Sequence, residues 1–258
     1  MFETCKEDRP LIIQLNGNDE KELIDAAKDL EPFADAIDIN LGCTQHIARR
    51  GQYGFYMVNT DEKRQNVIKI ITKITNTISV PMTAKIRVFS DNENNVDVET
   101  TVEFAKKLES AGISLIAVHG RSKQLDKAGD VDVSIIKSIV SSVKIPVIGN
   151  GGIKSKSDAD SMLYQTGAKA VMIGQALLNN PHLLETNDPD PVDLSYEYLE
   201  FNKEHPNSDF ILIKRHIFCF FNQVLSKSPD ISLKLKNVHT FEDLETFLND
   251  YREAHKQE

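Results

Sequence analysis

"PVIGNGGI" (146–153) and "AVMIGQALLNNP" (170–181) decide how this chain is read. Each begins as a short β-branched run and ends in glycine and a polar residue, and a helical pattern over 156–166 separates them. In a (β/α)8 barrel the loops after the last two strands, with a helix N-terminus, make a phosphate site from backbone N–H groups, and glycine lets the ligand come close. Tight βα turns alone also use glycine. Two glycine-bearing ends in adjacent units favour the phosphate reading.

Outward from this pair the same unit recurs. Strands are predicted at 11–17, 36–42, 81–88, 115–120, 146–152 and 170–175, with helical three-and-four spacing over 19–30, 60–75, 98–112, 131–142 and 156–166. Gly112 and Gly167 sit where helix-ending glycines belong. Strands alternating with helices predict a parallel sheet, whose ligands lie beyond the carboxyl ends of the strands. Gln14, Asn40 with Cys43, Lys85, His119, Asn150 and Gln175 would then share one mouth. "NEN" near position 93 reads as a loop, and the Pro/Asp-rich "NDPDPVD" from 187 as a boundary. Beyond it three helices are predicted, at 193–204, 208–228 and 240–256, so the expected domains are 1–186 and 187–258.

Composition narrows the function classes. With 258 residues, 40% of them apolar, the chain is long enough for a large α/β core. No apolar run reaches the roughly 18 residues of a membrane helix, and "MFETCKEDRP" has no signal-peptide pattern, so cytosol or nucleus is expected and no membrane partner. Cys5, Cys43 and Cys219 are too scattered for a disulfide framework or a Cys-x-x-Cys metal site, and no metal is expected. A formal charge of −9 opposes general nucleic-acid binding, so any polyanion must meet a focused patch.

Single residues carry two readings each. Lys85 lies in an apolar strand, where a buried ammonium needs either an anionic or electron-rich ligand or a carboxylate such as Asp38. His119 ends its strand before Gly120 and Arg121, and is either structural or ligand-facing. Cys219, within "IFCFF", reads as a core residue, whereas Cys43 follows Gly42 past a strand end and precedes a basic loop, which suits a reactive or proton-donating thiol.

"DINLGCTQHIARRGQYGFYM", "IIQLNGND", "KIRV", "VHGRSKQ", "IGNGGI" and "MIGQALLNNP", in this order, resemble the tRNA-dihydrouridine synthases. "GCTQHIARRGQYG" and "IKRHIF" are most similar to the eukaryotic branch acting on D-loop positions 16 and 17. The resemblance implies a TIM (β/α)8-type barrel followed by a helical tRNA-binding domain. It implies FMN as cofactor, NAD(P)H as reductant and reduction of the C5–C6 bond of uridine in tRNA. Gln14 and Lys85 would contact the flavin ring, and His119, Asn150, Gly151, Gly152, Gly174 and Gln175 its ribityl-phosphate tail. Cys43 would be the general acid, and Asn40 would position base or flavin. His46, Arg49, Arg50, Arg87, Arg121 and Lys123 would meet RNA, with Lys214, Arg215 and His216 on the helical part.

The sequence departs from that pattern at three points. Thr44 stands where the family usually has proline, and Gln175 where arginine is common. Only four strands precede the glycine pair, so a barrel incomplete at its N-terminal side is expected: two βα units short, poor in FMN, prone to associate, and restored by an upstream segment of roughly 60 to 80 residues. Rival readings are an FMN or phosphate-sugar barrel for a small metabolite, and a tRNA-binding remnant without flavin. Oligomeric state is left open.

Overall fold

The computed structural model describes residues 4–91, 95–123, 129–185, 189–206 and 209–255. "NEN" and the start of the segment from 187 lie outside these residues. The chain forms two compact units, the first running to Ile153 and resuming over Ser157–Met172, the second comprising Lys154–Lys156 and Ile173 onward.

The first unit is built on one sheet of six parallel strands, β1 (Ile12–Leu15), β2 (Ala36–Leu41), β3 (Met82–Arg87), β4 (Ile113–His119), β5 (Val147–Asn150) and β6 (Ala170–Met172). Each strand pairs with its sequence neighbours in the order β1-β2-β3-β4-β5-β6. A doubly wound sheet reverses this order at a switch point, whereas a barrel wall does not. The sheet is therefore an incomplete α/β barrel wall with β1 and β6 at its margins. Ile12 on β1 is 48% exposed and Met172 on β6 is 37% exposed, as expected of strands with a neighbour on one side only.

Five helices cross between the strands. They are α1 (Glu20–Leu30), α3 (Asp61–Thr75), α4 (Val98–Ser110), α5 (Val133–Ser142) and α6 (Lys156–Thr166), while α2 (His46–Gly51) stands in the longer β2–α3 connection. Asp19, Thr60, Asp97 and Asp132 accept first-turn backbone N–H groups, satisfying donors that a helix leaves orphaned. Gly112 ends the α4 turn at φ 97°, where a Cβ would meet the Thr75 hydroxyl at 2.9 Å. One face of β2 carries Asp38 and Asn40, and the other is apolar: Ile37, Ile39 and Leu41 pack with Ile70, Ile71 and Ile74 of α3 and Phe104 and Leu108 of α4 in one fully buried core.

Among the described residues of the second unit every regular element is helical: α7 (Gln175–Asn179), α8 (Pro191–Glu204), α9 (Phe210–Phe220), α10 (Asn222–Lys227), α11 (Pro229–Lys236) and α12 (Phe241–Ala254). Two expectations are corrected here. Gln175 is the first residue of a helix and does not end a strand, since β6 stops at Met172. The helix expected over 208–228 is broken at Phe221, which lies between α9 and α10, and α11 was not foreseen. Phe221 is fully buried and its ring packs on Phe247 (5.5 Å) and Tyr251 (5.1 Å) of α12, so burial of this ring fixes the bend.

Removing that ring tests the packing. Phe221→Ala is expected to lower the stability of the helical unit by about 3 to 5 kcal/mol, read by urea denaturation monitored through helical circular dichroism. A loss under ~1 kcal/mol would show that α12 does not depend on it.

Candidate active site

Parallel pairing aligns polar residues in rows across the sheet. Gln14 faces Asp38, which faces Thr83; Asn40 faces Lys85; Arg87 faces His119, which faces Asn150. These rows lie toward the carboxyl ends of β1 to β5.

On the β1–β3 side, Asp38 is buried at 7% exposure between Ile37 and Ile39. Its two oxygens accept from Thr83 Oγ1 (2.5 Å) and Gln14 Nε2 (2.8 Å). Burial raises its carboxyl above the ordinary 3.8, opposed by these two hydrogen bonds and by the charge of Lys85. Gln14 Oε1 accepts from Asn40 Nδ2 (3.0 Å), and Asn40 Oδ1 accepts from the backbone N–H groups of Gly42 and Cys43 (3.0 Å each). Asn40 thus closes the turn that carries the thiol.

Cys43 is half-buried and reduced. Its carbonyl accepts from Phe55 N (3.1 Å), and the Tyr56 hydroxyl donates to the Thr44 carbonyl (3.1 Å). Gly54 lies against the thiol residue at φ 63°, where a Cβ would meet Cys43 Cβ and O at 2.9 Å, so only glycine lets this buried turn seat there. Gly54 and Tyr56 were not among the residues singled out from the sequence. The glycine spacing after Cys43 was the available signal.

Lys85 forms no ion pair or hydrogen bond with another described residue. Burial, reinforced by the charge of Arg87 and opposed by Asp38, brings its ammonium down from 10.5 to about 8. The carboxylate that might have neutralised it is already held by Gln14 and Thr83.

On the β4–β5 side, His119 Nδ1 accepts from Arg121 N (3.2 Å), which leaves Nε2 as the protonated nitrogen. Burial first, then the charges of Arg87, Lys85 and Arg121, push this imidazole down to about 3, so it is neutral at physiological pH. Gly151, at φ 110°, passes over its ring: a Cβ there would lie 3.2 Å from Nε2. Gly152 follows at φ 75°, and Asn150 Nδ2 donates to the Met172 carbonyl (2.7 Å). Arg87 donates to the Ser122 carbonyl (3.2 Å), and Arg121 Nε donates to the Gly129 carbonyl. The Ser122 hydroxyl is buried without a partner among the described residues.

The expected basic loop is helical. His46, Arg49 and Arg50 lie exposed on α2, with both arginines in its last turn, where cations suit the helix dipole. Lys123 is less free: its ammonium sits over the rings of Tyr56 (5.0 Å) and Phe55 (5.9 Å). Gly174 and Gln175 belong to the second unit, Gly174 preceding α7. No cluster of three or more metal-ligating side chains occurs among the described residues, and no described helix is long and apolar enough to cross a membrane.

The dihydrouridine synthase (Dus) family model matches residues 1–233. The chain belongs to the dihydrouridine synthase family. It is 36% identical over 242 residues to the rat tRNA-dihydrouridine(16/17) synthase [NAD(P)(+)]-like protein, covering 93% of this chain and 53% of the relative. It is also 36% identical over 260 residues to the Schizosaccharomyces pombe tRNA-dihydrouridine(16/17) synthase [NAD(P)(+)], with 95% and 63% covered. The human tRNA-dihydrouridine(20a/20b) synthase [NAD(P)+]-like protein is 31% identical over 226 residues, with 88% and 69% covered. The chain spans about half the length of the first of these relatives.

In this Dus-family chain the unpaired Lys85 generates a pH signature. A lysine whose folded pKa is about 8 instead of 10.5 binds fewer protons folded than unfolded between those values, so stability rises with pH across that window. Lys85→Met is expected to remove that part of the rise without flattening other titrations. The check is the difference in urea midpoint between the two proteins from about pH 7 to 10. Parallel profiles would mean that Lys85 titrates as an exposed lysine.

Proposed function

We propose that this chain reduces the C5–C6 double bond of a uridine in the tRNA D-loop, at position 16 or 17, with FMN as cofactor and NAD(P)H as reductant, in the cytosol or nucleus. The observation that carries the reading is the thiol of Cys43, seated at the strand mouth by Gly54 and by Asn40, which shares a row with Lys85, an ammonium with no ion pair among the described residues.

The residues of the first unit fit FMN. Gln14 has its oxygen taken by Asn40 and one N–H by Asp38, so it offers the remaining N–H to an acceptor on a ring edge. Lys85 offers positive charge to a ring that becomes electron-rich on reduction. Neutral His119 offers Nε2–H, and the left-handed backbone at Gly151 and Gly152 leaves room for a close phosphate. FMN, when bound, supplies hydride chemistry.

Saturating C5–C6 also requires a proton at carbon. The thiol of Cys43 is the group placed to donate that proton to C5. Asn40 holds the Cys43 turn during this transfer, and the buried Gly54–Tyr56 backbone keeps the thiol from swinging away. A uridine stacked in the tRNA must leave its stack to reach the mouth. Exposed His46, Arg49 and Arg50 would hold the phosphates around it, with the segment 187–258 as a second tRNA-binding region.

Cys43→Ala is expected to slow dihydrouridine formation by about 10²- to 10⁴-fold while NAD(P)H oxidation by the flavin-loaded protein stays within about twofold. Mass spectrometry of the tRNA and absorbance of the reductant read the two separately. Equal loss of both would remove Cys43 from the acid role.

Arg49→Ala with Arg50→Ala is expected to weaken tRNA binding and lower the slope of log affinity against log salt by about one to two. Fluorescence titration at several salt concentrations measures this, and flavin content serves as the control. An unchanged slope would make the two arginines ordinary surface charges.

A further inference from the structure

Between Asp38 and Cys43 the hydrogen bonds run in one sense only. The backbone N–H groups of Gly42 and Cys43 can only donate, so Asn40 turns its oxygen to them and its nitrogen to Gln14. Gln14 then receives Asn40 on its oxygen and donates its nitrogen to Asp38. An ionised carboxylate only accepts, and the opposite oxygen of Asp38 is held by the Thr83 hydroxyl at 2.5 Å. Three donor-to-acceptor steps therefore lead from the thiol's own backbone to one buried carboxylate. Reversing either amide would set like against like at both of its ends.

We propose that Asp38 is a positioning residue for Cys43: through Gln14 it fixes the sense of the Asn40 side chain, and through Asn40 it holds the turn that seats the thiol. The assignment rests on the reading of Cys43 as proton donor for its consequence in catalysis, but not for its geometry. A chain of hydrogen bonds ending on a carboxylate is polarised along its length, which strengthens each link. Asp38 is also rigidly placed, because the residues on either side of it in the strand, Ile37 and Ile39, are fully buried in the core and its register partners are Gln14 and Thr83. The side chain furthest from solvent thus orders the two amides nearest the mouth.

The test is the rate at which iodoacetamide labels Cys43, resolved from Cys5 and Cys219 by peptide mass spectrometry. Asp38→Leu keeps similar bulk and cannot accept. It is expected to free the turn and speed labelling of Cys43 by about fivefold, the size of an ordinary coupling between bonded residues, with labelling of Cys5 unchanged. Asp38→Asn can accept from Gln14 through its oxygen and donate to Thr83 through its nitrogen, so the sense of the chain survives. Labelling should stay within about twofold of the unaltered protein. Gln14→Leu cuts the same chain from the exposed side and should reproduce the acceleration even where Asp38→Leu does not fold. The double variant should add nothing to either single change.

A role confined to stability would lower the thermal midpoint and leave the Cys43 labelling rate of the folded protein where it was. That result, in Gln14→Leu or Asp38→Leu, overturns the proposal. So does an Asp38→Asn protein that labels as fast as Asp38→Leu, because the sense of the bonds would then not matter. Uridine reduction is measured alongside on the same proteins. Accelerated labelling together with full activity in Cys43→Ala would retain Asp38 as the residue that seats the turn and reject the thiol as proton donor.

Discussion

Gln14, Asp38 and Thr83 share a row of the sheet because β2 pairs in parallel with β1 on one side and β3 on the other, and Asn40 and Lys85 share a row for the same reason. A slip of one residue in either pairing would turn Asp38 toward the opposite face and leave Asn40 without Gln14. The apolar residues prevent that slip. Ile37, Ile39 and Leu41 are all fully buried, so the register that satisfies the core is also the register that assembles the site. Packing and chemistry are specified by the same pairing.

Electrostatics then follow from which partners are already taken. A buried carboxylate is costly unless its oxygens are satisfied, and Asp38 is satisfied by two neutral donors. Lys85 is left with attraction to Asp38 at a distance and repulsion from Arg87. His119 lies under the same positive field and remains neutral. The whole chain carries a formal charge of −9, yet the ends of β3 and β4 concentrate Lys85, Arg87 and Arg121. An anion entering there would raise the ammonium of Lys85 toward its ordinary value and gain the free energy that burial now withholds.

Strands were legible in the sequence because each is a β-branched run closed by glycine or a polar residue, and all six predicted strands fall within three residues of the observed ones at both boundaries. The glycines at 112 and 167 announced helix ends because both need a positive φ. What stayed hidden depends on contacts distant in sequence. "HIARRG" reads as a basic loop since it has no cap and one buried residue, Ala48, but the structure winds it into α2. "FILIKRHIFCFFNQVL" keeps its apolar spacing through Phe221, and only the packing of that ring on α12 shows where the helix stops. Asp38 was visible as a carboxylate in an apolar run. Its partners were not, because Gln14 and Thr83 are 24 and 45 residues away.

Contact geometry also sorts cations that composition treats alike. Lys214 donates to the carbonyls of Lys236 (2.7 Å) and Val238 (2.5 Å), so its charge caps the end of α11 and ties α9 to it. His216 stacks on Tyr198 at 5.0 Å. Arg87 and Arg121 are committed to loop carbonyls, and Lys123 to two aromatic faces. Each of these would have to give up an internal contact before meeting a phosphate. Arg49 and Arg50 are exposed, and their guanidinium groups have no such contact among the described residues. Binding there costs only side-chain entropy and returns released counterions. Both arginines lie on the short helix that follows the thiol directly in sequence, so a phosphate held there would lie within a few residues of Cys43 along the chain.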